Sequence, residues 1–172
     1  MGISTKTVYK YFANKEDLLK ECISLQYARL FEKFAVIQND KSSPIVKIFG
    51  MLHEGIKTDF GSNHIFYYDL NYYYPQLQDR ILKKYAKPYQ QLFDAFINQG
   101  IKEGYLRKDI LPEVISEVTT SMYASITRTQ QFKKFKLQPL VIFQNTIEVY
   151  LRGLCTNKGL QELDKNYSFI TK

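Results

Sequence analysis

Apolar residues in this chain recur at steps of three and four rather than two, a spacing that predicts helices almost from end to end. Leu19, Ile23, Tyr27, Leu30, Phe34 and Ile37 share one face of a helix over about 15–38. Asn14 stands where its side chain can accept from the backbone N–H three residues on, and Asp17 brings negative charge to the first turn, where the helix dipole favours it. Asn39 to Pro44 read as a loop. Pro44, suited to a first-turn position, opens a second helix with Ile45, Ile48, Phe49, Leu52 and Ile56 on its buried face. Gly61, Ser62 and Asn63 interrupt the pattern before a short helix over 64–74, and Pro75 starts a long one carrying Leu77, Ile81, Tyr85, Tyr89, Leu92 and Phe96. Pro88 lies inside that helix and should kink it, at a cost of about 3 kcal/mol that packing must offset. Gly100 and Gly104 mark its end. A further helix follows Pro112, with Ile115, Val118, Met122 and Ile126 aligned. A basic loop at Lys133, Lys134 and Lys136 leads to a last helix using Leu140, Phe143, Ile147, Tyr150 and Leu154. No stretch alternates with period two between hairpin turns, so the expected fold class is all-α.

Composition narrows the picture. The 172 residues, 45% hydrophobic, suffice for one core or for a small head on a larger body. No apolar run approaches the roughly 20 residues that cross a bilayer, and the N-terminus lacks the pattern of a signal peptide, so a cytoplasmic protein is expected. Cys22 and Cys155 lie in apolar helical patterns without metal-ligand or CxxC spacing, which reads as two small hydrophobes. The net charge of +7 is compatible with a polyanionic partner but does not identify one. It is spread along the chain: residues 1–38 hold six cations and four acids, an excess of only +2. The two histidines, His53 and His64, show neither the Glu-x-x-His nor the His-Glu-x-x-His spacing of metal sites, and no glycine-rich phosphate loop occurs. An enzyme is therefore not expected, nor a metal or cofactor.

The first nineteen residues carry the most chemistry. Gly2, Ile3 and Ser4 read as a tight turn and an N-cap for a short helix over Thr5 to Tyr11, which buries little beyond Val8 and Phe12. A helix of two turns is marginal alone and needs neighbours to hold it. Its outward groups, Thr5, Lys6, Thr7, Tyr9, Lys10 and Tyr11, suit a duplex: hydroxyls and lysines bond phosphates and base edges, and threonine methyls contact thymine.

The segment Gly2 to Leu19 resembles the turn, recognition helix and start of the fourth helix of TetR-family transcriptional regulators. Gly2, Ile3, Ser4, Thr7, Val8, Tyr9, Tyr11, Phe12, Lys15, Glu16 and Leu18 fit that pattern. The stretch Gly100 to Ile115 resembles the family's junction between its long central helix and first dimerisation helix, with Leu111 departing where an acidic cap is common. Arg152, Gly153 and Leu154 resemble the close of its last helix. Carried over, the resemblance implies that Thr5, Lys6 and Thr7 face base edges, that Tyr9, Lys10 and Tyr11 lie at the groove and its phosphates, and that Lys15 grips a phosphate.

The implied protein is a ligand-responsive, homodimeric DNA-binding regulator, acting as a repressor on double-stranded operator DNA. It has a partial helix-turn-helix head and connecting helix over 1–38 and a ligand-binding and dimerisation body over 39–172. The family head has three helices and this chain begins at the turn before the third, so the helix that braces the recognition helix is expected to be missing and Met1 to be an internal methionine. The alternative is a dimeric, ligand-binding helical module that has lost DNA binding with those helices. Crowded aromatics and a few polar groups suggest a pocket for a small apolar or cationic ligand, from His64, Phe66, Tyr67, Tyr68, Asp69, Tyr72 and Tyr73 with Tyr89 and Phe93 of the long helix. The resemblance places dimerisation on the helices over about 113–130 and 139–156, with Met122, Ile126, Phe143, Ile147, Tyr150, Gly153 and Leu154 at the interface.

Overall fold

In the computed structural model, which describes residues 2, 4–60, 70, 72–128 and 131–170, the chain is helical and no β-strand is present among them. The elements are α1 (Thr5–Val8), α2 (Lys15–Asn39), α3 (Pro44–Phe60), α4 (Pro75–Lys102), α5 (Pro112–Arg128), a 3-10 turn (Lys133–Phe135), α6 (Pro139–Phe143), a π turn (Gln144–Glu148), α7 (Val149–Leu154) and α8 (Asn157–Ile170). Four helices begin at a proline, where a fixed φ and an absent N–H cost nothing. The fifth proline, Pro88, sits within α4, which continues through it although one ladder bond is lost. Asn14 caps α2 as its sequence predicts, its Oδ1 accepting from the Asp17 N–H at 2.9 Å.

Helix α3 is the axis of the fold. It is strongly apolar and buries most of its residues, among them Ile45, Ile48, Phe49, Met51, Leu52 and Ile56, against α2, α4, α6 and α8. Around it α2 contributes Ile23, Tyr27, Leu30 and Phe34, and α4 contributes Leu77, Ile81, Phe93, Phe96 and Ile97. Helix α5 packs on α4 and on α6 with the π turn.

Three details depart from expectation. The single last helix is interrupted by the π turn, which widens the ladder by a residue and keeps Ile142, Phe143, Ile147, Leu151 and Leu154 all buried. The Thr146 hydroxyl donates to the Ile142 carbonyl at 2.7 Å and the Asn145 amide to the Val141 carbonyl at 2.8 Å, side-chain bonds that compete with the regular ladder. Helix α8 is absent from the expected elements, although Leu160, Leu163, Tyr167 and Ile170 stand at helical steps in the sequence. Thr156 stands just before its first residue, its hydroxyl accepting from the Gly159 N–H at 3.2 Å. Cys22 is exposed while Cys155 is buried, its thiol pushed up to about 11 by burial.

The junction after α4 is closed by backbone bonds. Gly104 takes a left-handed φ of 77°, the conformation that ends α4 at little steric cost for glycine. The Thr156 N–H then donates to the Tyr105 carbonyl at 3.0 Å and the Arg107 N–H to the Leu154 carbonyl at 2.9 Å. Arg107 and Asp109 in this loop pair with each other at 2.5 Å.

Candidate functional site

Four helices leave a cavity of about 170 Å³ between them. Its walls are Tyr27, Phe31 and Phe34 from α2, Gly55 and Asp59 from α3, Gln78, Tyr85 and Tyr89 from α4, and Thr120, Tyr123 and Thr127 from α5. The spacing on α3 matters most. Gly55 and Asp59 are one turn apart and face the same way, and the missing side chain of Gly55 makes a notch for the Tyr123 hydroxyl, which would lie 3.0 Å from a Cβ there. Through that notch Tyr123 donates to Asp59 Oδ2 at 2.6 Å, and Tyr27 donates to Oδ1 over a longer 3.4 Å. Asp59 is only 5% exposed. A carboxylate so far from water requires hydrogen bonds to be tolerated.

The rings are arranged as a lining. Tyr27 stacks on Tyr85 with centroids 5.4 Å apart, Phe31 leans on Tyr85 at 5.2 Å, and Tyr89 stacks on Phe93 at 5.9 Å. Burial pushes the phenols of Tyr123 and Tyr89 up, and the nearby Asp59 charge pushes them further, so both keep their O–H donors at neutral pH. The cavity can thus offer aromatic faces, one buried acidic group and a few hydroxyls to a small molecule.

No family model, curated protein or solved structure matches the chain. The cavity's own geometry therefore carries the functional reading.

Of the residues that the sequence nominates for a pocket, Tyr89 lines this cavity and Phe93 stands behind it, buried and stacked on its ring. Tyr72 and Tyr73 do not: they are exposed and pack edge-on against each other at 4.9 Å. His64, Phe66, Tyr67, Tyr68 and Asp69 lie outside the described residues. The residues missed are Tyr27, Asp59, Tyr85 and Tyr123. Aromatic density along the chain pointed to 64–74, whereas the cavity collects single rings from separate helices. The available signal was an acid, Asp59, one turn after a glycine on a strongly apolar helix.

The N-terminal segment is exposed as expected at Thr5, Lys6, Thr7, Tyr9, Lys10, Tyr11 and Lys15, while Val8 and Phe12 are half-buried. Helix α1 is shorter than predicted, ending at Val8, and the chain continues as turns to Tyr11. Ser4 is its N-cap, accepting from the Thr7 N–H at 3.2 Å and sharing a 2.9 Å hydroxyl–hydroxyl bond with Thr7. No residue of α1 is buried. The beginning of α2 leans on α4 through Glu16 and Arg80 at 2.6 Å, with the Lys15 ammonium 6.0 Å from the Tyr74 ring centre.

Among the residues nominated for a dimer interface, Ile126, Phe143, Ile147 and Leu154 are part of the chain's own core. Apolar periodicity marks a buried face without saying which neighbour buries it. Met122 and Tyr150 are half-buried and Gly153 is exposed, as are the apolar side chains of Leu111, Val114 and Val149 on or beside the same helices.

Proposed function

We propose that the chain is a ligand-responsive DNA-binding transcriptional regulator of the TetR type that acts as a homodimeric repressor. The observation that carries this reading is the span of α2. Its start adjoins the exposed Thr5–Tyr11 segment, and its middle supplies Tyr27, Phe31 and Phe34 to the cavity wall. Lys15 and Tyr27 are separated by about 18 Å of helix at 1.5 Å per residue. A molecule that wedges the cavity and displaces α2 from α4 also displaces the end that adjoins α1. The Glu16–Arg80 pair across α2 and α4 would feel the same movement, although an exposed ion pair adds little energy.

One observation favours the second reading, a ligand-binding helical module without DNA binding: a four-residue helix with no buried residue has nothing to fix its angle in a groove. DNA titration at several salt concentrations separates the two, using this chain and the chain extended upstream along its reading frame. A regulator gives log–log salt dependence, and Lys6→Ala or Lys10→Ala lowers the slope by about 0.9 for each phosphate that the variant no longer neutralises. Absence of salt-dependent binding in both forms would leave the module reading standing.

A further inference from the structure

We infer that the cavity takes a compact arene carrying one uncharged hydroxyl or amide group, and that the side-chain amide of Gln78 is the hydrogen-bond partner of that group. This rests on reading the cavity as a ligand site and goes further by naming the ligand's chemical class.

Gln78 stands out on the face that α4 turns to the cavity. Gln78, Leu82, Tyr85 and Tyr89 follow at steps of four, three and four, which places them on one side of the helix, and all four line the cavity. Glutamine is ordinarily an exposed residue, yet Gln78 is only 3% exposed. Its side-chain amide makes no hydrogen bond to a described residue. An amide has two donors and an acceptor, and leaving them unpaired away from bulk water is costly. Its position in a wall of rings and aliphatic groups therefore marks where the cavity addresses a polar group.

Most other polar groups of the wall are engaged within the protein. Both Asp59 oxygens accept from tyrosine hydroxyls, Tyr123 at 2.6 Å and Tyr27 at 3.4 Å. The Tyr85 hydroxyl donates to the Ser24 carbonyl at 3.3 Å, and the Thr127 hydroxyl to the Tyr123 carbonyl at 2.9 Å. Leu30, Phe31, Phe34, Met51 and Leu82 add apolar surface, against which a flat ring packs well. The amide is itself uncharged, so it suits a group that brings no charge; an ion would exchange its hydration for a single dipole.

Volume limits the guest. An apolar protein cavity of roughly 150 Å³ holds benzene, so about 170 Å³ suits a guest of about seven heavy atoms, one ring and one substituent. The Tyr89 phenol stands eleven residues further along α4, roughly 17 Å at 1.5 Å per residue, too far for so small a guest to meet it and Gln78 together.

The test titrates the full chain calorimetrically with phenol and with toluene, which match in shape and differ by a hydroxyl. Phenol gives up more hydration on entering, so it matches toluene only if the cavity supplies a partner. The parent chain should bind phenol at least as tightly as toluene. Gln78→Met, close in shape and without the amide, should lower the ratio of phenol to toluene affinity by at least about fivefold, the effect of one net hydrogen bond. Gln78→Leu takes its place if that variant does not fold. Tighter binding of toluene to the parent chain, or a ratio that falls by less than about fivefold in the variant, overturns the inference while leaving a ligand-binding cavity. Failure of both probes to bind at millimolar concentration overturns the inference together with the reading of this cavity as a ligand site.

Discussion

Replacing Gly159 by alanine tests the junction where the C-terminal helix meets the loop after α4. Inside a helix this exchange ordinarily gains up to about 1 kcal/mol, because glycine has more backbone freedom to lose on folding. Here the new Cβ would lie 2.1 Å from the Tyr105 carbonyl oxygen and 3.1 Å from its carbon, so backbone must move. Neither side moves freely. The Tyr105 carbonyl is held by the Thr156 N–H at 3.0 Å, and displacing α8 pulls the Thr156 hydroxyl away from the Gly104 carbonyl, 2.6 Å distant. Overpacking costs about 1–3 kcal/mol and each weakened hydrogen bond about 1 kcal/mol, which together outweigh the propensity gain and leave a loss of about 2–4 kcal/mol. For a domain of this size each kcal/mol shifts the melting temperature by about 2–4 °C, so calorimetry should show a fall of roughly 5–15 °C. Gly153→Ala is the control, since its Cβ meets nothing within 4 Å; it should leave the melting temperature unchanged or raise it. If Gly159→Ala melts at or above the parent temperature, the close approach of α8 to Tyr105 is wrong.

Other expectations are smaller or more local. Asn14→Ala removes the side-chain cap of α2 and should cost about 1 kcal/mol in urea unfolding; an unchanged midpoint would mean that the cap contributes nothing. Tyr123→Phe takes away the 2.6 Å bond to Asp59 and should destabilise by about 1–3 kcal/mol, read by the same assay, with no loss taken as evidence against that bond. Phe143→Ala removes a fully buried ring beside the π turn and should cost about 3–5 kcal/mol; a loss below about 1 kcal/mol would contradict its place in the core. His53 gives a pH signature. Burial holds its pKa below the ordinary 6.5, and neither ring nitrogen has a hydrogen-bond partner, so the unfolded chain takes up a proton that the folded one resists. Stability should therefore fall as pH drops below about 6.5, before most carboxylates titrate, and His53→Leu should flatten that part of the profile. A parent profile flat between pH 6.5 and 5 would refute the assignment.

The helices were legible because their signals are local. Steps of three and four residues, prolines at four helix starts and the Asn14 cap act over one or two turns, and the structure follows them to within a residue at the start of α2, α3, α4 and α5. The π turn was not legible for the converse reason. The π turn brings Ile142, Phe143, Ile147 and Leu151 inward together, a requirement set by the helices around them. Helix α8 was legible in principle, since Leu160, Leu163, Tyr167 and Ile170 stand at helical steps; the structure packs it against α3.

By itself, the sequence determined an all-helical chain, its main helix starts, and an exposed Thr-, Lys- and Tyr-rich segment at its beginning. Only the tertiary structure decided where the cavity lies. Tyr27, Asp59, Tyr85, Tyr89 and Tyr123 are scattered over nearly a hundred positions, and each looks like an ordinary residue within its own helix. Side-chain periodicity says that a face is buried but not what it meets. The acid, the notch at Gly55 and the ring faces become one site only when α2, α3, α4 and α5 pack.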